Sequence, residues 1–279
     1  MPISIRSPLA RRALRWLAAL AIIPLLLYSL ALAWLWWRQE RLLFHPDPWP
    51  RQDPPVLSEP DVHSVWVDVA GARLHALHLR QPAARGLVFF LHGNAGNLAS
   101  WFVNAEFYRR AGFDLFMLDY RGYGRSSGQI GSEAQLMADV RAAWRQVAPL
   151  YAGRPVVVYG RSLGTGLAAQ LAAEVSPALT VLVSPYRSMA ALADEQFPWV
   201  PTALLRYPLR TDAVVARISG PLWLVHGERD TLIPPTHSEA LREAAGARAR
   251  LLRVPDAGHN DVHESPNYLD GLRAELDRL

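Results

Sequence analysis

A serine stands between two glycines in Gly160-Arg161-Ser162-Leu163-Gly164, where the run Val156-Val157-Val158 gives way to Leu167-Ala168-Ala169-Gln170-Leu171-Ala172-Ala173. That spacing could cradle a phosphate, turn toward a dinucleotide, or hold up a nucleophile. A phosphate loop needs G-x-x-x-x-G-K-[ST], and the chain has no lysine, since all 29 basic residues are arginine. Gly164-Thr165-Gly166-Leu167-Ala168-Ala169 matches a dinucleotide turn, but begins several residues beyond the strand. Ser184-Pro185 also stands where the ribose-binding acid is expected, about 20 residues on. What remains is G-x-S-x-G as a nucleophile elbow, a strained strand-to-helix turn that exposes the serine hydroxyl, with the helix N-terminus favouring negative charge.

An elbow serine needs an acid and then a histidine later in the chain. "PLWLVHGERDTLIP" places Asp230 just after an apolar strand, and "LLRVPDAGHNDV" places His259 just after the last one. In a parallel sheet, that edge is where catalytic groups gather. Ser162 would attack, His259 would take its proton, and Asp230 would fix the imidazole tautomer. Glu228 and Asp256 are the nearest substitutes for the acid. The oxyanion would be met by the backbone N–H of Leu163, directly after the nucleophile, and by that of Asn94 in "LHGNAGN". His92 in that motif reads as a structural hydrogen-bonding residue. Tyr186 and Arg187, beyond the strand ending at Ser184, read either as lining a substrate pocket or as surface structure.

No metal or other cofactor is expected. His259 and His263 have i,i+4 spacing but lack the glutamate of H-E-x-x-H, and His75 and His78 fall on opposite faces of a strand. The chain has no cysteine and a net charge of +4. No arginine-rich run interleaved with aromatics appears in the globular part, so nucleic acid is not an expected partner.

The elements that must position these residues alternate. A hairpin turns at Ala70-Gly71. Apolar strands "GLVFFLHG", "FDLFMLDY", "PVVVYG", "LTVLVSP", "PLWLVHG" and "ARLLRVP" then alternate with helical stretches over 99–111, 132–148, 163–174, 237–245 and 265–278. Continuous apolar strands separated by helices predict an α/β fold: a mostly parallel central sheet covered on both faces. Ahead of it, roughly 22 uncharged residues over 16–37 are long enough to span a bilayer as one N-terminal transmembrane helix. The expected organisation is a basic tail over 1–15, the span over 16–37, a juxtamembrane and proline-rich linker over 38–60, and the catalytic domain over 61–279. The prolines of 46–60 read as a spacer or as a strap packed on the domain. Arg6, Arg11, Arg12 and Arg15 precede the span, while Arg38 and Arg41 follow with Glu40 between them. The N-terminus is therefore expected in the cytoplasm and the domain outside it. A cleaved signal peptide ending near Ala31-Leu32-Ala33 is the competing reading.

Six motifs in order, "FLHGNAGN", "LDYRGYGRSSG", "YGRSLGTG", "VSPYRSM", "VHGERDTLIP" and "DAGHND", resemble the α/β-hydrolase superfamily over Val62 to Leu279. Within it the chain is similar to single-pass membrane-anchored members related to serine aminopeptidase-like and acyl-protein thioesterase-like proteins. The resemblance implies Ser162, Asp230 and His259 as a triad, Asn94 and Leu163 as oxyanion donors, and a structural role for Asp119. About 35 residues separate Ser184 from Pro221, too few for a large lid. The chain reads as a serine hydrolase of esters or thioesters, with lipids and lipidated molecules among the expected substrates, held in the bilayer by residues 16–37. A peptidase of the aminopeptidase type and a catalytically silent membrane scaffold are the alternatives.

Overall fold

In the computed structural model, residues 8–279 are described, apart from the side chains of residues 9, 10, 13, 14, 17–19 and 21. The chain divides into two compact units, Met1–Leu42 and Leu43–Leu279. The first contains α1, a 30-residue helix over Pro8–Trp37. It begins inside the expected basic tail and carries Arg11, Arg12 and Arg15; Arg6 and the rest of 1–7 lie outside the described residues. Large apolar side chains from Leu20 through Leu30 to Trp37 are exposed along it. Among the described residues, no helix is long and apolar enough to cross a membrane. Leu17, Ala18, Ala19 and Ala21 of the expected span have side chains outside the described set, so a span over 16–37 rests on the sequence.

The second unit is built on an eight-stranded sheet. Its strands are β1 (Val62–Val69), β2 (Ala72–Leu79), β3 (Gly86–Leu91), β4 (Phe113–Leu118), β5 (Val156–Arg161), β6 (Leu179–Val183), β7 (Leu222–Gly227) and β8 (Ala249–Val254). Their order across the sheet is β1-β2-β4-β3-β5-β6-β7-β8. Only β2 runs against the direction of the other seven strands, which makes the sheet mostly parallel. Alternation sends Leu87, Phe89 and Leu91 into one core and Val88 and Phe90 into the other. Helices α3 (Glu133–Val147), α4 (Leu163–Val175) and α6 (Thr236–Ala245) contribute to the first core. Helices α2 (Ala105–Ala111) and α7 (Pro266–Asp277) contribute to the second. Two covered faces are the reason the strands read as unbroken apolar runs.

Two local expectations change. The helix expected over 99–111 is two pieces, Leu98–Trp101 and Ala105–Ala111. Phe102 ends the first with a non-helical backbone and buries its ring in the core, 1% exposed. The proline-rich stretch is a strap and not a free spacer. His45 and Pro46 pair in parallel with Ala95 and Gly96, and Phe44 packs edge-on against Tyr207. The compact unit therefore begins near Leu43, upstream of the expected boundary at residue 61.

Two buried histidines on β2 make the fold acid-sensitive. His75 sits between the Trp49 and Trp66 rings, with Nε2 3.0 Å from Ser64 Oγ. His78 Nε2 meets Tyr151 Oη at 2.7 Å, and Tyr151 donates to Asp114 at 2.5 Å. Burial holds both imidazoles down at about 4, against an ordinary value of 6.5. Between those values the unfolded chain binds protons that the folded chain refuses, so stability falls as pH drops through this window. The loss is about 3 kcal/mol per ring. Urea midpoints followed by tryptophan fluorescence should fall steeply from pH 7 to pH 4.5, and His78→Gln should flatten that dependence.

Candidate active site

The turn between β5 and α4 carries Ser162 at φ 50° and ψ −119°. A non-glycine residue held there costs about 1–3 kcal/mol and needs surroundings that impose it. The two glycines supply those surroundings. A Cβ on Gly160 would lie 2.5 Å from Gly164 O, and one on Gly164 would lie 2.1 Å from Leu91 O. Without side chains at both positions, the first turn of α4 presses against the ends of β5 and β3. Ser162 N–H donates to Val183 O at 2.9 Å, and Thr165 Oγ1 donates to Ser162 O at 2.6 Å.

The loops after β7 and β8 bring two more of the expected residues to Ser162. His259 Nε2 lies 2.9 Å from Ser162 Oγ, and His259 Nδ1 lies 2.7 Å from Asp230 Oδ2. Asp230 Oδ1 accepts from the Leu232 and Ile233 amides at 3.0 and 2.8 Å. Burial pushes the Asp230 carboxyl up, but His226, His259 and the Ile233 amide outweigh it and hold the group well below the usual carboxylate range. It is therefore an anion at neutral pH, so Nδ1 of His259 carries the proton and Nε2 is free to accept the serine proton. The substitutes are not brought there: Asp256 pairs with Arg229 at the surface, and Glu228 faces Arg253 at 3.4 Å.

On the other side of Ser162 is the loop after β3. A Cβ on Gly93 would lie 3.6 Å from Ser162 Cβ, which puts the Gly93-Asn94 segment against the serine. Tyr123 Oη donates to Asn94 O at 2.5 Å, orienting that peptide. The Leu163 N–H opens α4, where the first amides have no partner within the helix. His92 is fully buried, with Nδ1 donating to Gly93 O at 2.7 Å and Nε2 3.4 Å from Asp119 Oδ1. Asp119 also accepts from Leu98 N at 3.0 Å, and burial raises its carboxyl. Both shape the loop from beneath.

Tyr186 does not line a pocket. It is 0% exposed and donates to Leu163 O at 2.9 Å, packing where a Cβ on Gly166 would lie 2.4 Å from its hydroxyl. Arg187 is exposed, and its backbone N–H donates to His237 Nδ1 at 3.1 Å. Two other residues matter that the motifs left out. Arg161, the variable residue of the pentapeptide, stacks on Trp101 and donates to His259 O and Asn260 O at 3.3 and 3.0 Å, tethering the histidine loop. His226 donates from Nε2 to Ile233 O at 2.7 Å and lies 3.4 Å from Asp230 Oδ2. A histidine inside an otherwise apolar strand was the available signal for it. Among the described residues, no group of three or more His, Cys, Asp or Glu is arranged to hold a metal. A cavity of about 370 Å³ adjoins the site on Ala95, Trp101, Arg161 and His263. A larger one, about 520 Å³, lies away from it along α6 and β8.

The family model described as serine aminopeptidase, S33, matches residues 82–211. Alpha/beta hydrolase domain-containing protein 17B of Homo sapiens is 34% identical over 209 residues, covering 73% of this chain and 70% of that protein. The chain belongs to the α/β-hydrolase superfamily. This hydrolase is also 32% identical over 277 residues to an uncharacterised protein of Mycobacterium tuberculosis, covering 95% of this chain and 94% of the relative. Pyrococcus furiosus esterase Pf2001 shares its fold with a TM-score of 0.69 at 19% identity, over 85% of this chain and 97% of that one. So does Est1E of Butyrivibrio proteoclasticus, with a TM-score of 0.64 at 16% identity, over 77% and 99% of the two chains.

The glycine contacts give a direct test of the elbow. Gly164→Ala should cost about 3 kcal/mol or more, because its new methyl meets a backbone carbonyl that cannot yield. Gly153→Ala, at the third position of the type II turn Tyr151–Arg154 with φ 78° and nothing within 4 Å, should cost only about 1 kcal/mol. Chemical denaturation of the two variants measures the difference.

Proposed function

We propose that this α/β hydrolase is a membrane-anchored serine hydrolase that cleaves carboxylic esters or thioesters through an acyl-enzyme. The observation that carries the proposal is the continuous hydrogen-bond chain from Ser162 through His259 to Asp230, set on a strained elbow. Ser162 Oγ attacks the acyl carbon while His259 Nε2 takes its proton, and Asp230 stabilises the imidazolium without itself being protonated. The Asn94 and Leu163 amides receive the oxyanion. Collapse of the tetrahedral species expels the alcohol or thiol, to which His259 returns the proton. Water, deprotonated by the same imidazole, then releases the acid and restores the serine.

Acyl substrates are favoured by the surroundings. Between β6 and β7 the structure has the eight-residue helix α5 (Met189–Gln196) and short turns, with no large lid domain. Phe197, Trp199 and Leu232 are exposed, and Gln196 Nε2 donates to Leu232 O at 3.0 Å, tying this apolar rim to the Asp230 loop. A peptidase of the aminopeptidase type is the second reading, favoured by the description of the matching family model. Comparing p-nitrophenyl acyl esters, acyl thioesters and aminoacyl anilides separates the two.

Membrane anchoring is supported by the uncharged stretch 16–37 and by the exposed apolar side chains of α1, which have no place in water. The arginine asymmetry favours a catalytic unit outside the cytoplasm. Protease added to intact spheroplasts should digest it, and mass spectrometry should find the Trp16–Trp37 segment still joined to it. Protection of the domain would reverse the orientation, and a mature chain starting at Trp34 would make the segment a signal peptide.

Ser162→Ala should abolish labelling by a fluorophosphonate probe while leaving the circular dichroism spectrum unchanged. Asp230→Asn should lower kcat on the order of 10⁴-fold by leaving the imidazole in the wrong tautomer. Asp256→Asn should leave kcat within about twofold, since that carboxylate sits at the surface against Arg229. Collapse of activity in Asp256→Asn with an active Asp230→Asn would overturn the assignment of the acid.

A further inference from the structure

The loop that presents Asn94 is held from outside by the strap. His45 and Pro46 pair with Ala95 and Gly96, and Asp47 N–H donates to Gly96 O at 3.2 Å. Asn97, 4% exposed, closes the arrangement: its Nδ2 donates to Asp47 O at 3.1 Å and Pro48 O at 3.0 Å, while its Oδ1 accepts from Ala99 N at 2.9 Å. Gly124 N–H donates to Asp47 O at 3.1 Å, so the strap is clasped between the Asn94 loop and the loop after β4. Every one of these bonds falls within three residues of Asn94 or on the strap residues that they grip.

The loop has reason to need such support. It contains Gly93 and Gly96, the latter at φ 86°, and glycine leaves a backbone free to move unless it is held. An oxyanion donor acts only if its N–H is already aimed where negative charge develops, and losing one such donor costs about 10²- to 10³-fold in kcat. Donors on a loop owe their aim to the residues behind them. Here Tyr123 and His92 brace the loop from inside, and the strap braces it from outside.

We infer that the strap Phe44–Pro48 is a positioning element of the active site, acting through Asn97 to hold the Asn94 amide in line with the oxyanion. The inference rests on the serine-hydrolase proposal above. It makes the segment between the N-terminal unit and the sheet a working part of the enzyme.

The test uses the full chain in detergent. Asn97→Asp removes both donors to the strap and sets a carboxylate against two carbonyl oxygens, but keeps the oxygen that caps Ala99. Asp47→Pro deletes the N–H that reaches Gly96 and leaves Asn97 intact; Asp47 is exposed, so the fold should tolerate the change. Both variants should cut kcat for a p-nitrophenyl ester by about 10- to 100-fold with KM within twofold. They should bind a trifluoromethyl ketone, whose serine adduct carries the oxyanion, more weakly by a matching factor. Trypsin should cut faster at the exposed Arg51 in both, reporting release of the strap. Fluorophosphonate labelling of Ser162 and ester turnover are measured first in the parent chain. An inactive, unlabelled parent overturns the proposed function and this inference together. An active parent with kcat unchanged in both variants overturns the strap's role alone.

Discussion

The candidate site depends on one close contact, the first turn of α4 pressed against the carbonyls of Leu91 and His92 at the end of β3. A methyl on Gly164 would lie 2.1 Å from one of these oxygens and 2.6 Å from the other. That approach forces the chain to turn sharply at Ser162 and accounts for the positive φ there. It also sets Ser162 beside the Gly93-Asn94 loop, because helix and loop meet over the same strand end. The strain at Ser162 is maintained by packing that would have to be undone to relax it.

Charge is arranged around this contact in layers of decreasing exposure. Ser162 is half-buried, the His259 side chain is 13% exposed, and the Asp230 side chain is fully buried. An isolated carboxylate at that depth would be costly. Two amides donate to Oδ1, and His259 and His226 lie against Oδ2, so the anion survives and can hold an imidazolium. His226 in turn is fixed by Ser238 Oγ, 2.6 Å from its Nδ1. Arg161 adds a tether from the elbow to the histidine loop, so Ser162 and His259 share a common anchor.

The edge of the site that meets the strap is set by backbone pairing. Proline denies helix to the segment after Phe44 and leaves it extended, free to offer backbone groups to a neighbouring loop. The loop after β3 supplies the matching edge because glycines leave its own backbone exposed. The result is a short parallel pairing outside the main sheet, stitched by a single buried amide side chain.

Much of this was legible in the sequence because the signals are local. The apolar runs of β3 to β8 mark a sheet buried on both sides, the glycine spacing around Ser162 marks an elbow, and strand ends mark where Asp230 and His259 must fall. Tyr186 misled because its position beside a strand end fits a pocket as well as it fits a core hydroxyl; only packing against Gly166 and Leu163 decides between them. The break at Phe102 and the partners of Arg161 and His226 were equally hidden, since each depends on chain segments far apart in number. The same holds for the strap, whose prolines exclude a helix without saying what the extended chain will touch. Local sequence determined which backbone conformations were open, through steric limits that act within a few residues. Tertiary structure decided which distant groups share a hydrogen bond, because a buried donor must find an acceptor wherever the fold brings one.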